Sequence, residues 1–316
     1  MTTTPGTPAV ALRCSGLVKR YGDVLAVDGL DLEVHAGECF GLLGPNGAGK
    51  TTTIEILEGL NTHDAGDVEV LGHRWGRNDQ ALRQRLGIQL QETQLSDKLS
   101  VVETLRLFRS FYNRGRSVDD VLAAVELESK RRAWVGKLSG GQKQRLAVGC
   151  ALVGAPDVLF LDEPTTGLDP QSRRQLWTLL EAFRRDGGTI LLTTHYMDEA
   201  QLLCDRVAVV DQGRVIALGT PGELIASLGA EHVVEFAVEP PGSAPPLEAL
   251  RDLPGVTDAR SEDGRVLLSA SEVHLAIPAL LDALARRRAT LALLTTHSAT
   301  LEDVFVRLTG RHLRDD

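Results

Sequence analysis

Gly44-Pro45-Asn46-Gly47-Ala48-Gly49-Lys50-Thr51 is the stretch on which the reading of this chain turns. It has the spacing G-x-x-x-x-G-K-[ST]. In that loop the glycines turn backbone N–H groups toward phosphates, the lysine reaches the outer phosphates, and the hydroxyl serves Mg²⁺. The flanks supply the context the loop needs. The apolar run Cys39–Leu43 predicts a strand, and Thr51–Leu60 carries Ile54, Leu57 and Leu60 at helical spacing. Phosphates would then sit at a helix N-terminus, where free amides and the helix dipole favour anions.

Two further stretches extend this chemistry. Val158-Leu159-Phe160-Leu161-Asp162-Glu163 is an apolar strand ending in two acids. An acid at the end of a parallel strand beside a phosphate loop commonly holds Mg²⁺, the role expected of Asp162. Glu163 is placed to orient and deprotonate a water. Without the phosphate loop the pair would read as a solvated strand end. Leu138-Ser139-Gly140-Gly141-Gln142 precedes a helix with Leu146, Cys150 and Val153 on one face. Ser139 and its glycines form a second anion-seeking helix start, or else a plain serine cap. A second phosphate site is redundant in one chain unless two chains share each nucleotide.

From Val10 to about Leu228, apolar strands alternate with helical segments. Strands are expected at Val10–Val18, Ala26–Val34, Cys39–Leu43, Asp67–Val70, Arg85–Gln89, Val158–Asp162, Thr189–Thr193, Arg206–Val210 and Arg214–Ala217. Continuous apolar runs such as Ile190-Leu191-Leu192 suit central parallel strands. Between Glu92 and Val153 only helices are expected, at Leu99–Tyr112, Val118–Glu126 and Gln142–Val153, which makes a helical insertion in an α/β core. Gly219–Gly229 reads as a short closing helix. Beyond Glu231 a small α+β domain is expected, in the order β-α-β-β-α-β-α of a ferredoxin-like unit. The domains read as 1–8 disordered tail, 9–229 nucleotide domain with its helical part about 92–153, and 230–316 accessory domain.

Composition narrows the classes. The chain has 316 residues, 43% hydrophobic and 24% charged, as in a globular protein of two domains. With 34 Lys and Arg against 43 Asp and Glu, the net charge of -9 argues against a nucleic-acid partner. Cys14, Cys39, Cys150 and Cys204 form no C-x-x-C pair, so they read as buried, reduced thiols suited to the cytoplasm. No apolar stretch approaches a membrane span, and Met1–Pro8 lacks the features of a secretion signal.

With these residues in hand, the chain resembles the ATP-binding cassette (ABC) ATPases across about Val10–Leu228. Gly44–Thr51, with Thr52 after it, matches Walker A. Leu138–Gln142 matches LSGGQ, Leu159–Glu163 matches Walker B with its catalytic Glu, and Gly167-Leu168-Asp169 matches the D-loop. His195 matches the switch histidine, and Gln91 the Q-loop glutamine that reaches the metal and the reacting water. Gln89 rivals Gln91, because strand alternation would put both on one face. Tyr21 falls where the family stacks an aromatic on adenine, although a packing residue would read the same. Asp169-Pro170 also reads as an N-cap and N1 pair, and His195 as a helix cap. Leu294–His297 repeats the tetrapeptide Leu192–His195 without a preceding acid, and reads as coincidence.

The resemblance implies a P-loop cassette with a RecA-like core, an antiparallel β subdomain and a helical insertion. It also implies ATP and Mg²⁺ as ligands, with Thr51, Gln91 and Asp162 on the metal. Two copies would close head to tail on two ATP molecules, with Walker A of one facing Ser139-Gly140-Gly141 of the other. Lys50, Glu163, His195 and Gln91 would carry catalysis. A separate permease is implied as partner, docked near Glu92-Thr93-Gln94-Leu95 at the cytoplasmic face of the membrane. Leu301-Glu302-Asp303-Val304-Phe305 and Leu308-Thr309-Gly310 resemble the tail of daunorubicin-resistance ATP-binding subunits, whose relatives export drugs, antibiotics or lipids. Alone, Val304, Phe305 and Leu308 are the apolar stripe of an amphipathic helix. The alternatives are an importer ATPase and a non-transport cassette ATPase acting on ribosomes or DNA.

Overall fold

The computed structural model describes residues 9–310 apart from 78, 92, 93, 241 and 263. The chain divides into two compact units that meet between Leu218 and Gly219. In chain order the first holds β1 (Val10–Tyr21), β2 (Val24–His35), β3 (Cys39–Leu43), α1 (Lys50–Glu58), β4 (Ala65–Val70), α2 (Asp79–Arg83) and β5 (Leu86–Gln89). There follow α3 (Val101–Arg109), α4 (Val118–Ala124), α5 (Gly140–Leu152), β6 (Val158–Asp162), α6 (Pro170–Arg185), β7 (Thr189–Thr194), α7 (Met197–Leu203), β8 (Arg206–Asp211) and β9 (Arg214–Gly219).

Six strands form one sheet in the order β5-β6-β7-β3-β8-β9. From β5 to β8 the pairs are parallel. Every residue of β3, β6 and β7 is buried, as expected of strands covered on both faces. Parallel pairing puts the C-terminal ends of β3, β6 and β7 on one edge, where open α/β sheets bind their ligands. The register keeps those ends level, with Asp162 opposite Thr193 and Leu43 opposite Thr194. The turn from β8 to β9 has positive φ at both Gln212 and Gly213, the backbone of a tight I′ hairpin.

A second, antiparallel sheet has the order β2-β1-β4. Its strands β1 and β2 run past the expected Val10–Val18 and Ala26–Val34, because bulges let the ladder slip and continue. Leu12, Leu17, Leu30 and Val34 from this sheet share one core with Phe40, Ile54, Leu57 and Phe160. The insertion is helical as expected, with only the isolated bridge Ser100–Trp134 outside the helices among its described residues. A capping box between Ser100 and Glu103 starts α3, and Ser117 caps α4. Periodicity does not announce α2 and α7, which have five and seven residues, too short to show a helical repeat.

The second unit comprises α8 (Pro221–Ala226), β10 (His232–Glu239), α9 (Leu247–Arg251), β11 (Val256–Glu262), β12 (Arg265–Ala270), α10 (Val273–Arg286), β13 (Thr290–Ser298) and α11 (Leu301–Thr309). From β10 onward this is the expected order β-α-β-β-α-β-α. The sheet is antiparallel, in the order β11-β12-β10-β13, the pattern of a split βαβ unit. Val234, Phe236, Leu268, Leu280 and Leu284 form its core.

The structural division at 218/219 differs from the expected boundary at Gly229. Helix α8 groups with the second unit because α11 holds it, with Arg307 Nη1 donating to Leu228 O at 2.6 Å and Ser227 O at 3.3 Å. His297 lies on β13, 3.3 Å from Asp303 Oδ2 at the start of α11, within the second unit. The expected tail 1–8 lies outside the described residues, as do Glu92 and Thr93 of the expected docking strip.

Candidate active site

Helix α1 begins where the phosphate loop ends. Its N-cap is Gly49, at φ 99°, with no side chain to cap the first turn. A Cβ there would lie 2.3 Å from Ala26 O, so only glycine fits. Gly44 is tighter still, as its Cβ would meet Val210 O at 2.2 Å. The loop Gly44, Pro45, Asn46, Gly47, Ala48 thus passes close to β8, and the N–H groups of Lys50, Thr51 and Thr52 are the unpaired donors of a helix start. Lys50 is buried, and its Nζ donates to Gly44 O at 2.8 Å and Pro45 O at 2.9 Å.

The other strand ends bring acids to this loop. Thr51 Oγ1 donates to Asp162 Oδ2 at 3.2 Å and lies 3.5 Å from Oδ1. Thr193, opposite Asp162 on β7, donates its hydroxyl to Asp162 Oδ1. Burial pushes the Asp162 carboxyl up, against the hydrogen bonds from Thr193 and Thr51. Burial also pulls the Lys50 ammonium down, against the pull of Glu163 and Asp162. In both groups desolvation outweighs the mutual attraction, so burial makes each charge costlier than in water. An anion against Lys50 and a hard cation against Thr51 and Asp162 would relieve both costs. A hydroxyl and a carboxylate are suitable oxygen donors for Mg²⁺.

Glu163 occupies the left-handed region at φ 47°, uncommon for a residue with a side chain. Its N–H reaches Thr193 Oγ1 at 3.0 Å and Thr193 O at 3.2 Å, which fixes this bend. Its Oε2 accepts from Thr166 Oγ1 at 3.1 Å and lies 3.2 Å from His195 Nδ1. His195 follows β7 directly and precedes α7, whose N-cap is Tyr196. It is therefore not a helix cap. Thr193, which joins Asp162 to Glu163, was not picked out from the sequence. Its signal was present in the pair Thr193-Thr194 before His195.

The remaining expected residues lie apart from this cluster or beside it. Ser139 caps α5 in a full capping box with Gln142, Ser139 Oγ accepting from Gln142 N at 3.3 Å. The start of α5 packs on the start of α6, where a Cβ on Gly141 would lie 2.3 Å from Ser172 Oγ. Gly140 is exposed beside it. Asp169 caps α6 through Gln171 N and Ser172 N, both at 3.0 Å, and these bonds with the Ser172 hydroxyl hold its carboxyl below the usual range. Tyr21 ends β1 half exposed, with Asn61 Nδ2 on its hydroxyl and Lys19 over its ring. Gln91 is exposed in a turn beyond β5, whereas Gln89 is buried at the end of β5. The strand stops at Gln89, so the alternation expected to align the two does not extend to Gln91.

Residues 27–166 match the ABC transporter family. The Nod factor export ATP-binding protein I of Paraburkholderia xenovorans (strain LB400) is 42% identical over 319 residues, covering 98% of this chain and 100% of that protein. The relative from Burkholderia lata, 41% identical over 315 residues and covering 98% of this chain, carries the same export name and not a daunorubicin-resistance one. Among solved structures, an ATP-binding subunit of an ABC transporter superposes with TM-score 0.64 at 28% identity, covering 69% of this chain and 93% of that one. A bacterial ABC transporter cassette solved as a dimer has TM-score 0.60 at 24% identity, covering 66% of this chain and 98% of that one. With the loop Gly44–Thr51, the acids Asp162 and Glu163 and His195 on one sheet edge, the chain belongs to the ATP-binding, ATP-hydrolysing subunits of the ABC transporter family.

Proposed function

We propose that this chain powers an exporter, hydrolysing ATP at the cytoplasmic face of a membrane on behalf of a separate permease. The observation that carries the reading is the convergence of Lys50, Thr51, Asp162, Glu163 and His195 at one sheet edge. The Ser139–Gly141 helix start packs instead on α6 of the same chain, where it is free to meet the nucleotide of a second copy. Thr51, Asp162 and Gln91 would hold Mg²⁺, which neutralises phosphate charge when bound. Lys50 and the α1 amides hold the outer phosphates, and Tyr21 stacks on the adenine. Glu163 takes a proton from water as the water oxygen bonds to the γ-phosphorus and the bond from that phosphorus to the β–γ bridging oxygen breaks, releasing ADP and phosphate. His195 contacts the γ-phosphate, and Asp169 lies at the junction of the two copies.

Export follows the name of the relatives, which concerns a Nod factor. Among the described residues no helix is long and apolar enough to cross a membrane. The cargo class proposed is a drug, antibiotic or lipid-like molecule, from the likeness of Leu301–Phe305 to the drug-exporting branch. Glu163→Gln tests the site. The variant should accumulate as an ATP-bound dimer with turnover reduced at least a hundredfold, read by gel filtration and phosphate release. A monomer at saturating Mg·ATP hydrolysing at the parent rate would overturn the reading.

A further inference from the structure

Helix α6 starts at Asp169 and runs directly behind the turn that carries His195. Two of its side chains, one helical turn apart, hold that turn. The Arg173 guanidinium lies 4.7 Å over the Tyr196 ring, and its Nη1 is 3.7 Å from Asp198 Oδ2. Trp177 Nε1 donates to Glu199 Oε1 at 3.1 Å. Glu199 is fully buried in the first turn of α7. Tyr196 in turn lies against His195, with ring centroids 4.1 Å apart and planes tilted by 40°. The chain of contacts thus runs from α6 through Arg173, Tyr196 and His195 to Glu163.

Neither Arg173 nor Trp177 belongs to the motifs that mark the site. Their positions have a structural use all the same. His195 sits between a strand and a seven-residue helix that has no side-chain cap. Within the segment, Tyr196 N donates to Thr194 Oγ1 at 2.9 Å, which fixes the backbone of the turn and leaves the ring orientation to its neighbours. A cation over an aromatic face and an indole bond to a buried carboxylate add a constraint from α6. The same end of the helix presents Asp169, one turn before Arg173, and the Asp169 carboxylate caps α6 and accepts from Ser172 Oγ.

We propose that Arg173 and Trp177 are positioning residues that clamp the first turn of α7 to α6, so that the Tyr196 ring holds the His195 imidazole toward Glu163. The clamp makes the orientation of His195 follow α6, the helix that begins at Asp169. This inference rests on the reading of His195 as a catalytic residue.

The test is a mutant cycle in the full-length chain, read by single-turnover ATP hydrolysis and by ATP affinity in the presence of EDTA. Arg173→Ala should slow hydrolysis about ten- to a hundredfold, the cost of a small misplacement of a reacting group, with ATP affinity unchanged. Arg173→Lys should recover part of the rate, because it keeps the cation but loses the planar stack. In a His195→Ala background, Arg173→Ala should have no further effect, since both changes remove one function. An equal loss in both backgrounds would show a general destabilisation and overturn the proposal, as would an Arg173→Ala chain at the parent rate. If Arg173→Ala fails to fold, Trp177→Phe replaces it in the same cycle with the same outcomes. An unaffected His195→Ala chain would refute the reading of the site itself, whereas an inactive one beside an unaffected Arg173→Ala chain would refute only the clamp.

Discussion

Glu58, in the last turn of α1, offers a quantitative test of the buried charge balance behind the phosphate loop. It is 1% exposed, and neither carboxylate oxygen has a hydrogen-bond partner. Burial, then the nearby charges of Asp162 and Glu55, push its pKa from 4.5 to about 9. The folded chain therefore binds this proton more tightly than the unfolded chain. Stability from the neutral carboxyl is complete below pH ~4.5 and is lost as the pH rises toward ~9, at about 1.4 kcal/mol per pH unit. By pH 7 the loss amounts to about 3 kcal/mol, an upper value because the unit relaxes around a buried charge. Glu58→Gln keeps the shape and polarity of the neutral acid and cannot ionise. The variant should match the parent near pH 4.5 and exceed it by ~3 kcal/mol at pH 7, which is roughly 6–12 °C in Tm for a unit of this size. Thermal unfolding of both chains from pH 5 to pH 8 measures the difference, and titrations common to the two cancel. A difference independent of pH, or one that favours the parent as pH rises, would refute the argument.

Other expectations follow from the same geometry. Thr193→Val keeps the shape of the side chain but removes the hydroxyl that serves both Asp162 and the Glu163 amide. Leaving those buried groups short of a partner should cost ~1–3 kcal/mol of stability and lower kcat more than ATP affinity, as calorimetry and phosphate release would show. A chain ending at Leu218 should remain monodisperse, whereas one ending at Gly229 should aggregate, because it keeps α8 with the buried Leu224 but lacks the α11 partner. Light scattering on the two truncated chains distinguishes them, and equal behaviour would argue against assigning α8 to the second unit.

The phosphate loop, the acidic end of β6 and the order of the C-terminal elements were legible in the sequence because each is local. A glycine spacing, a four-residue apolar run closed by acids and a turn-rich boundary all lie within one window. Contacts made across the sheet were less legible. Thr193 acts on residues 31 and 30 positions earlier in the chain, and only strand pairing brings them together. The left-handed backbone of Glu163 had no sequence signal either, since glutamate does not announce that conformation. Alternation would put Gln89 and Gln91 on one face, but β5 ends at Gln89, opposite Leu161, because the end of a strand is set by its neighbour, here β6, and not by its own composition. The boundary at Gly229 looked sound by the glycine stop, yet α8 takes its partner from α11, some eighty residues on.

The level ends of β3, β6 and β7 carry a lesson about tolerance to change. A single inserted or deleted residue inside β6 would slide Asp162 by about 3.3 Å and turn its side chain to the opposite face. No loop could absorb that shift, because the neighbours on both sides hold the strand. The lengths of these three strands are therefore frozen, whereas exposed positions of α3 and α4, such as Leu107, can be rewritten without moving the ends of those strands. Variation among cassettes built on this plan should accumulate on exposed helical positions and spare the few peptide units that set Glu163 and Asp162 against Thr51 and Thr193.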